Sequence, residues 1–448
     1  MPDLPGAGPF ALRARLLSPL DDGGLLDVAD GVVEVGADGR IVRAEAWAPP
    51  GDGDGQRVLD LRPLVLMPGM VDLHAHLPQL RNAGLGSGLD LLTWLDRYIF
   101  PLEHGYDRAT AERQAPAAWR AFAAAGTTTV VAYAALWEDS TDAAFAAAEA
   151  HGIRAVIGKV MMDRITYDQR IAPERILETS LRQSDELASR WHGHDGGRLR
   201  YAFTPRFAVS CSAGMLRESA ALARSHGAYW QTHLSEDAGE IDEVRRLFPE
   251  AIDYLDVYDR AGALGERTIL AHAIHLSPRE VARLVESGSR VAHCPASNLF
   301  LSSGMMRLGA YTAAGMAVGL GSDVAAGPET SIFTVMRAGA VTQRALELIG
   351  GAERAQGSRP LDWLRLGTLE GARVLGMEGE IGSLEAGKEA DLIAVDPRLT
   401  TPLPGDTPPS AADELLSRMI FRPHPNMVRG AWVRGRLLAG PPGLDGIG

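Results

Sequence analysis

The chain has 448 residues, 46% of them apolar and 23% charged, a globular composition that excludes disorder over most of its length and suits one large barrel with a small appendage. Forty-four basic against 57 acidic residues leave a net charge of −13, which excludes the footprint of a nucleic-acid binder or of a protein held on anionic lipid. Two cysteines, Cys211 and Cys294, cannot build a disulfide framework, and with neither a leader-like start nor a run of 18 apolar residues they predict a cytoplasmic protein with no membrane partner, acting on a small molecule.

Residues 1–66 read as short strands: Val32-Val33-Glu34-Val35 and Ile41-Val42-Arg43 flank Ala37-Asp38-Gly39, a hairpin signal, and the Gly/Asp alternation at 51–55 reads as a flexible turn. The texture returns in residues 377–448, with an apolar run at 391–395 and further strands between 427 and 438. Neither end can bury a core alone, so the two are expected to pair into one small antiparallel β-sandwich domain.

Residues 67–376 alternate apolar runs with Ala-, Leu- and Arg-rich helical stretches, the pattern of a parallel sheet. The runs are 64–73, 127–133, 155–160, 201–204, 229–234, 268–272, 290–294 and 317–321; helices are expected at 109–125, 174–189, 215–225, 278–286 and 329–348. Eight β/α units predict an α/β fold, a TIM (β/α)8 barrel whose chemistry sits at the carboxyl ends of its strands.

The residues ending these runs carry that chemistry. His74 and His76 close the first run two apart, so alternation puts both on one side of the strand, where one metal can bind both. His192 and His194 share that spacing but lie among glycines and Asp195, as in a solvated loop. The fifth run ends at His233 with Glu236 three residues on, the sixth ends at His272, and the eighth leads into Ser322-Asp323. Imidazoles and a carboxylate make a zinc or ferrous set with room for a water, whose pKa such an ion lowers to ~7. Glu236 is then placed to take a proton from the attacking water and return it to a ring nitrogen, with His272 and Asp323 sharing the hydroxide's orientation. A second metal would need a bridging anion, and of the chain's two lysines only Lys159 falls within the barrel, so one metal is expected. On the substrate side, Gln79 offers both a donor and an acceptor, and Arg206, at the end of the fourth run, offers a fork of donors for an oxygen and a ring nitrogen on one heterocycle edge. Trp94 and Phe207 can stack on a planar ring.

With these residues the chain resembles the metal-dependent amidohydrolase superfamily over nearly its whole length, and within it the members that deaminate guanine. The resemblance rests on His74-Ala75-His76-Leu77-Pro78-Gln79, on Leu91-Leu92-Thr93-Trp94-Leu95 running on to Phe100-Pro101-Leu102-Glu103, and on Gly158-Lys159-Val160-Met161-Met162-Asp163. Thr204-Pro205-Arg206-Phe207, Thr232-His233-Leu234-Ser235-Glu236 and His293-Cys294-Pro295-Ala296-Ser297-Asn298-Leu299 complete it. It implies a barrel of the metal-dependent hydrolase type with one Zn2+ per chain, or Fe2+, on His74, His76, His233 and Asp323. Glu236 is then the proton shuttle and His272 assists at the metal. Gln79, Arg206 and Phe207 match guanine-binding positions beside His233, Trp94 lies in a pocket segment, and a homodimer is implied. The implied reaction is hydroxide attack at C2 of guanine to give xanthine and ammonia, a step of purine catabolism. Residues 165–171 read as extra loop, and Ala296 and Phe300 vary a loop near the pocket. Two other readings stay open, a related hydrolase acting on a triazine, a pterin or another purine, and a non-catalytic barrel scaffold. Base deaminases with a Cys-x-x-Cys zinc site are excluded, since the chain has no such motif.

Overall fold

The computed structural model describes residues 4–49, 58–349 and 359–439; the turn expected at 51–55 lies outside them. Among these residues sixteen strands form two sheets. In chain order they are β1 (Phe10–Pro19), β2 (Leu25–Val35), β3 (Ile41–Ala46), β4 (Val58–Pro68), β5 (Met70–His76), β6 (Thr127–Tyr133), β7 (Arg154–Gly158) and β8 (Val160–Met161). There follow β9 (Leu199–Pro205), β10 (Tyr229–Leu234), β11 (Thr268–His272), β12 (Arg290–His293), β13 (Val318–Leu320), β14 (Leu392–Val395), β15 (Val428–Val433) and β16 (Arg436–Ala439).

The larger sheet runs β5-β6-β7-β9-β10-β11-β12-β13 with every neighbouring pair parallel, and β8 extends the pairing on β9. Its two edges meet through backbone bonds: the Asp323 amide donates to His74 O at 2.7 Å and the His76 amide to Val324 O at 3.0 Å. A (β/α)8 barrel results. Val71, Val131, Val156, Ala202, Ile269 and Ala292 fill its interior, and the helix Leu369–Val374 seals the amino end with Ala372 and Val374. Residues one position along, such as Val130, Ala155, Leu270 and Val291, pack against the outer helices, as the two-residue period of a strand requires. The expected helices appear as Arg108–Ala124, Pro173–Trp191, Ala213–His226, Pro278–Ser287 and Ile332–Leu348. One of them has legible ends: Ser277 and Glu280 form a capping box at its start, and Gly288, at φ 70°, ends it.

Two expected runs are each divided. The run 64–73 breaks at Gly69 into β4, which belongs to the small sheet, and β5, which opens the barrel. A Cβ at Gly69 would stand 2.1 Å from Thr128 Oγ1, so the chain can cross between the sheets there only without a side chain. The run 155–160 breaks at Lys159, whose Nζ donates to Ser180 Oγ (2.9 Å) on the helix Pro173–Trp191. It does not join the residues at the strand ends. Burial pulls the pKa of this ammonium down to about 8. Below pH 8 the folded chain bears the cost of a buried charge. Between about 8 and 10.5 the unfolded chain binds a proton that the folded one does not, so stability rises with pH across that window. At pH 7, Lys159→Met is therefore expected to stabilise the protein by about 2 kcal/mol, the charging cost less the lost hydrogen bonds to Ser180 Oγ and the Val160 carbonyl. Thermal denaturation should show the gain at pH 7 and its disappearance by pH 10.5; equal gains at both would contradict this origin.

The small sheet joins both ends of the chain in the order β16-β15-β14-β4-β1-β2-β3. The antiparallel pairing expected from the sequence holds for each neighbouring pair except β1 and β4, which run parallel, so the sheet is mixed. The β2–β3 hairpin occupies one edge of β1, and the chain crosses over to the other edge in the same direction. The C-terminal segment also holds a helix, Ala412–Phe421, which the strand-like texture did not announce; Leu415, Leu416, Met419 and Ile420 bury it in the main core.

Candidate active site

The carboxyl ends of β5, β10, β11 and β13 bring titratable side chains to one point. On β5 this depends on a bulge: Asp72 pairs with Val130 but Ala75 with Ala132, so β5 carries one extra residue against β6. Val71 and Leu73 face the barrel interior, and His74 and His76 face it as well, because the extra residue between Asp72 and Ala75 restarts the alternation. Their Nε2 atoms are 3.2 Å apart, and His233 Nε2 is 3.4 Å from that of His76. Asp323 Oδ1 lies 3.2 Å from His74 Nε2 and 3.3 Å from His76 Nε2. His74, His233, His272 and Asp323 each offer a ligand atom within 4.8 Å of the others. Donors about 2.1 Å from a shared tetrahedral ion stand roughly 3.4 Å from one another, so these spacings fit a metal of zinc size.

The electrostatics fit the same ion. Burial takes the His74 pKa down to about 4, and burial with the neighbouring imidazoles holds His233 well below its ordinary value, so both rings are neutral. His233 Nδ1 donates to the Arg206 carbonyl at 2.6 Å, which leaves Nε2 as a bare lone pair facing His76. Lone pairs converging on a buried carboxylate call for a cation. Asp323 is held well below the usual carboxylate range: burial opposes ionisation but is outweighed by His74 and His76. Its Oδ2 accepts from Ser297 Oγ, so Oδ1 is the oxygen turned to the histidines. Glu236 goes the other way, pushed well up by burial and by the Asp323 charge. Two neighbouring carboxyls pushed in opposite directions by their surroundings are the division that acid–base chemistry uses. Glu236 Oε2 lies 3.4 Å from His272 Nε2, and Ser303 Oγ donates to Glu236 Oε1 at 3.3 Å. His272 Nδ1 donates to Asn298 Oδ1 at 2.8 Å, which turns Nε2 toward Glu236 as an acceptor.

Backbone strain accompanies this convergence. Ser235, His272 and Asp323 take φ of 47°, 70° and 49°, left-handed values that cost a side-chain-bearing residue about 1 kcal/mol each and that gather where function holds them.

Gln79, Trp94, Arg206 and Phe207 line one pocket with Glu236 and Asp323. Gln79 sits on the short helix Leu77–Asn82 that follows β5 directly. Trp94 donates its indole N–H to Leu85 O at 2.9 Å, and the Phe207 and His233 rings meet at 6.4 Å and 69°. Arg206 is buried and ion-paired with Glu103. His74, His76, His233, Glu236, His272 and Asp323 therefore gather here with Gln79, Trp94, Arg206 and Phe207, while Lys159 stays outside the group. His192 and His194 do not: His192 Nδ1 accepts from the Tyr201 amide and His194 pairs with Glu149. Sequence reasoning missed Glu103, Ser297 and Asn298 as individual residues. Each lies inside a stretch that carries the family resemblance, but none occupies a strand end, and no spacing marks it.

Among the described residues no helix is long and apolar enough to cross a membrane. The amidohydrolase family model matches residues 65–438. A probable guanine deaminase of Deinococcus radiodurans is 38% identical over 403 residues, covering 88% of this chain and 86% of its own length. Guanine deaminase of Escherichia coli is 36% identical over 392 residues (86% and 85%), and a structure of the E. coli guanine deaminase superposes with a TM-score of 0.87 at 31% identity, covering 96% of this chain and 99% of that one. The guanine deaminase of C. acetobutylicum, solved with guanine bound in its active site, superposes with a TM-score of 0.86 at 29% identity and the same coverage.

Proposed function

This chain belongs to the amidohydrolase family, and from that premise we propose that it deaminates guanine hydrolytically to xanthine and ammonia. The observation that carries the reading is one pocket in which a donor fork and an amide, Arg206 and Gln79, stand beside the metal-type cluster and Glu236. The named activity of the relatives supports it.

His74, His76, His233 and Asp323 would hold one zinc ion, with His272 beside it. A divalent metal there would supply hydroxide at neutral pH by lowering the pKa of water to ~7. The chain's own residues do the rest. Arg206 donates to O6, Gln79 meets the adjoining ring nitrogen, and Phe207 and Trp94 enclose the ring, which sets C2 and its amino group toward Glu236. As water adds to C2, Glu236 carries its proton to N3. The proton of the hydroxyl added at C2 then passes by the same carboxyl to the amino group, the C2 carbonyl forms as the C2–N bond breaks, and ammonia leaves. His272, its Nδ1 committed to Asn298, keeps Nε2 on the Glu236 carboxyl through both transfers. Adenine would place an amino donor where Arg206 needs an acceptor, leaving buried donors unpaired. Residues 67–376 are assigned to the catalytic barrel domain and residues 1–66 with 377–448 to the small domain, with the helix Ala412–Phe421 of the latter segment packed into the main core. The protein acts in purine catabolism as a cytoplasmic homodimer.

Guanine, adenine, cytosine and melamine offered in parallel test the proposal. Ammonia and xanthine from guanine alone are expected; turnover of another ring with guanine untouched would overturn it.

A further inference from the structure

The pocket wall that meets the base is held from behind by a side chain with no part in the chemistry. Glu103, on the helix Phe100–His104, has no solvent exposure and accepts three hydrogen bonds. Gln79 Nε2 reaches its Oε1 at 2.7 Å; Tyr167 OH reaches Oε2 at 2.7 Å, and Arg206 Nη1 reaches the same Oε2. Tyr167 comes from the stretch between β8 and the helix Pro173–Trp191 that read as surplus loop in the sequence. Burial alone would raise the Glu103 pKa, but the Arg206 guanidinium outweighs it and holds the group below the usual range.

An ionised carboxylate only accepts, so Gln79 must turn its NH2 toward Glu103. Among the described residues its Oε1, and the Arg206 guanidinium nitrogens other than Nη1, take part in no hydrogen bond, and both residues line the pocket. The wall therefore offers an acceptor beside a donor. That is the complement of a lactam edge, a ring N–H next to a carbonyl. Without Glu103 the Gln79 amide, nearly symmetric in shape, could turn over and offer a donor instead.

We infer that Glu103, steadied by Tyr167, is a positioning residue that fixes Gln79 and Arg206 in the one arrangement that reads a lactam edge, so that selectivity for guanine is set by a side chain that does not touch the base. The inference rests on the guanine reading. Its probe is 2-aminopurine, which keeps the same 2-amino leaving group but lacks both N1–H and O6.

Glu103→Gln should lower kcat/KM for guanine about 10²-fold and leave that for 2-aminopurine within a few-fold, so the ratio of the two collapses. Tyr167→Phe keeps the ion pair, and with it the fold, and should shift the ratio the same way by about fivefold. General structural damage would lower both substrates alike. Equal losses on both substrates, or a ratio unmoved in Tyr167→Phe, would overturn the assignment even if Glu103→Gln does not fold. The wild-type control separates the two readings: if it turns over guanine and the variants leave the ratio intact, the Glu103 role alone is wrong, whereas a wild type inert on guanine removes the guanine reading itself.

Discussion

Glu236→Gln is expected to bind metal in wild-type amount and to turn over guanine about 10³-fold more slowly, the range over which a positioned acid–base group acts. The amide keeps the shape of the carboxyl and can still accept from Ser303 Oγ, so the pocket has no reason to rearrange. What it lacks is a proton to give and a site to receive one. The division of charge between the two carboxyls makes the effect specific. Asp323, hydrogen-bonded by Ser297, is the one held ionised, and Glu236, buried against it, is the one able to gain and lose a proton. Metal analysis together with kcat decides the matter, and near-normal turnover would remove Glu236 from the mechanism.

Arg206→Ala should fail twice. Losing the donors that meet O6 is expected to lower kcat/KM for guanine by about 10³-fold or more, because a site built to hydrogen-bond a carbonyl is left with its other polar groups unpaired. The same change strips Glu103 of its counter-charge, and breaking a buried pair costs about 3–5 kcal/mol of stability. The sign of the pH dependence follows. Without Arg206, burial raises the folded-state pKa of Glu103 above its unfolded value, so the folded chain binds a proton that the unfolded chain does not. The stability deficit should then be largest at neutral pH and shrink as pH falls toward about 4.5, the ordinary value for the group. Thermal denaturation at pH 7 and pH 5, beside kinetics on guanine, reads both failures. A variant as stable as wild type at pH 7 would mean that the Glu103–Arg206 pair is neutralised by another group.

What was legible in the sequence follows from periodicity. His74 and His76 stood out because two residues is the repeat of a strand, and His233, His272 and Asp323 because each follows an apolar run of strand length. Less legible was the manner in which those side chains reach one point. The bulge between Asp72 and Ala75 and the left-handed backbone at His272 and Asp323 are departures from regular strand geometry, made by tertiary contacts that no local pattern records. The break at Gly69 was hidden because the apolar run continues across it: the last five residues of β4 and all of β5 are buried, and burial erases the alternation that would have marked two strands. Glu103 escaped for a different reason. Its partners lie 24, 64 and 103 residues away, and only the folded chain makes them neighbours. The small domain was legible as strands but not as a mixed sheet, since strand direction is set by the crossover before β4 and not by its composition.

The most direct test titrates metal-free protein with Zn2+ and follows xanthine formation from guanine at each step. Activity should rise in proportion to metal and level off at one equivalent per chain. Full activity without metal, or saturation with metal and no xanthine, would contradict guanine deamination at the His74, His76, His233 and Asp323 centre.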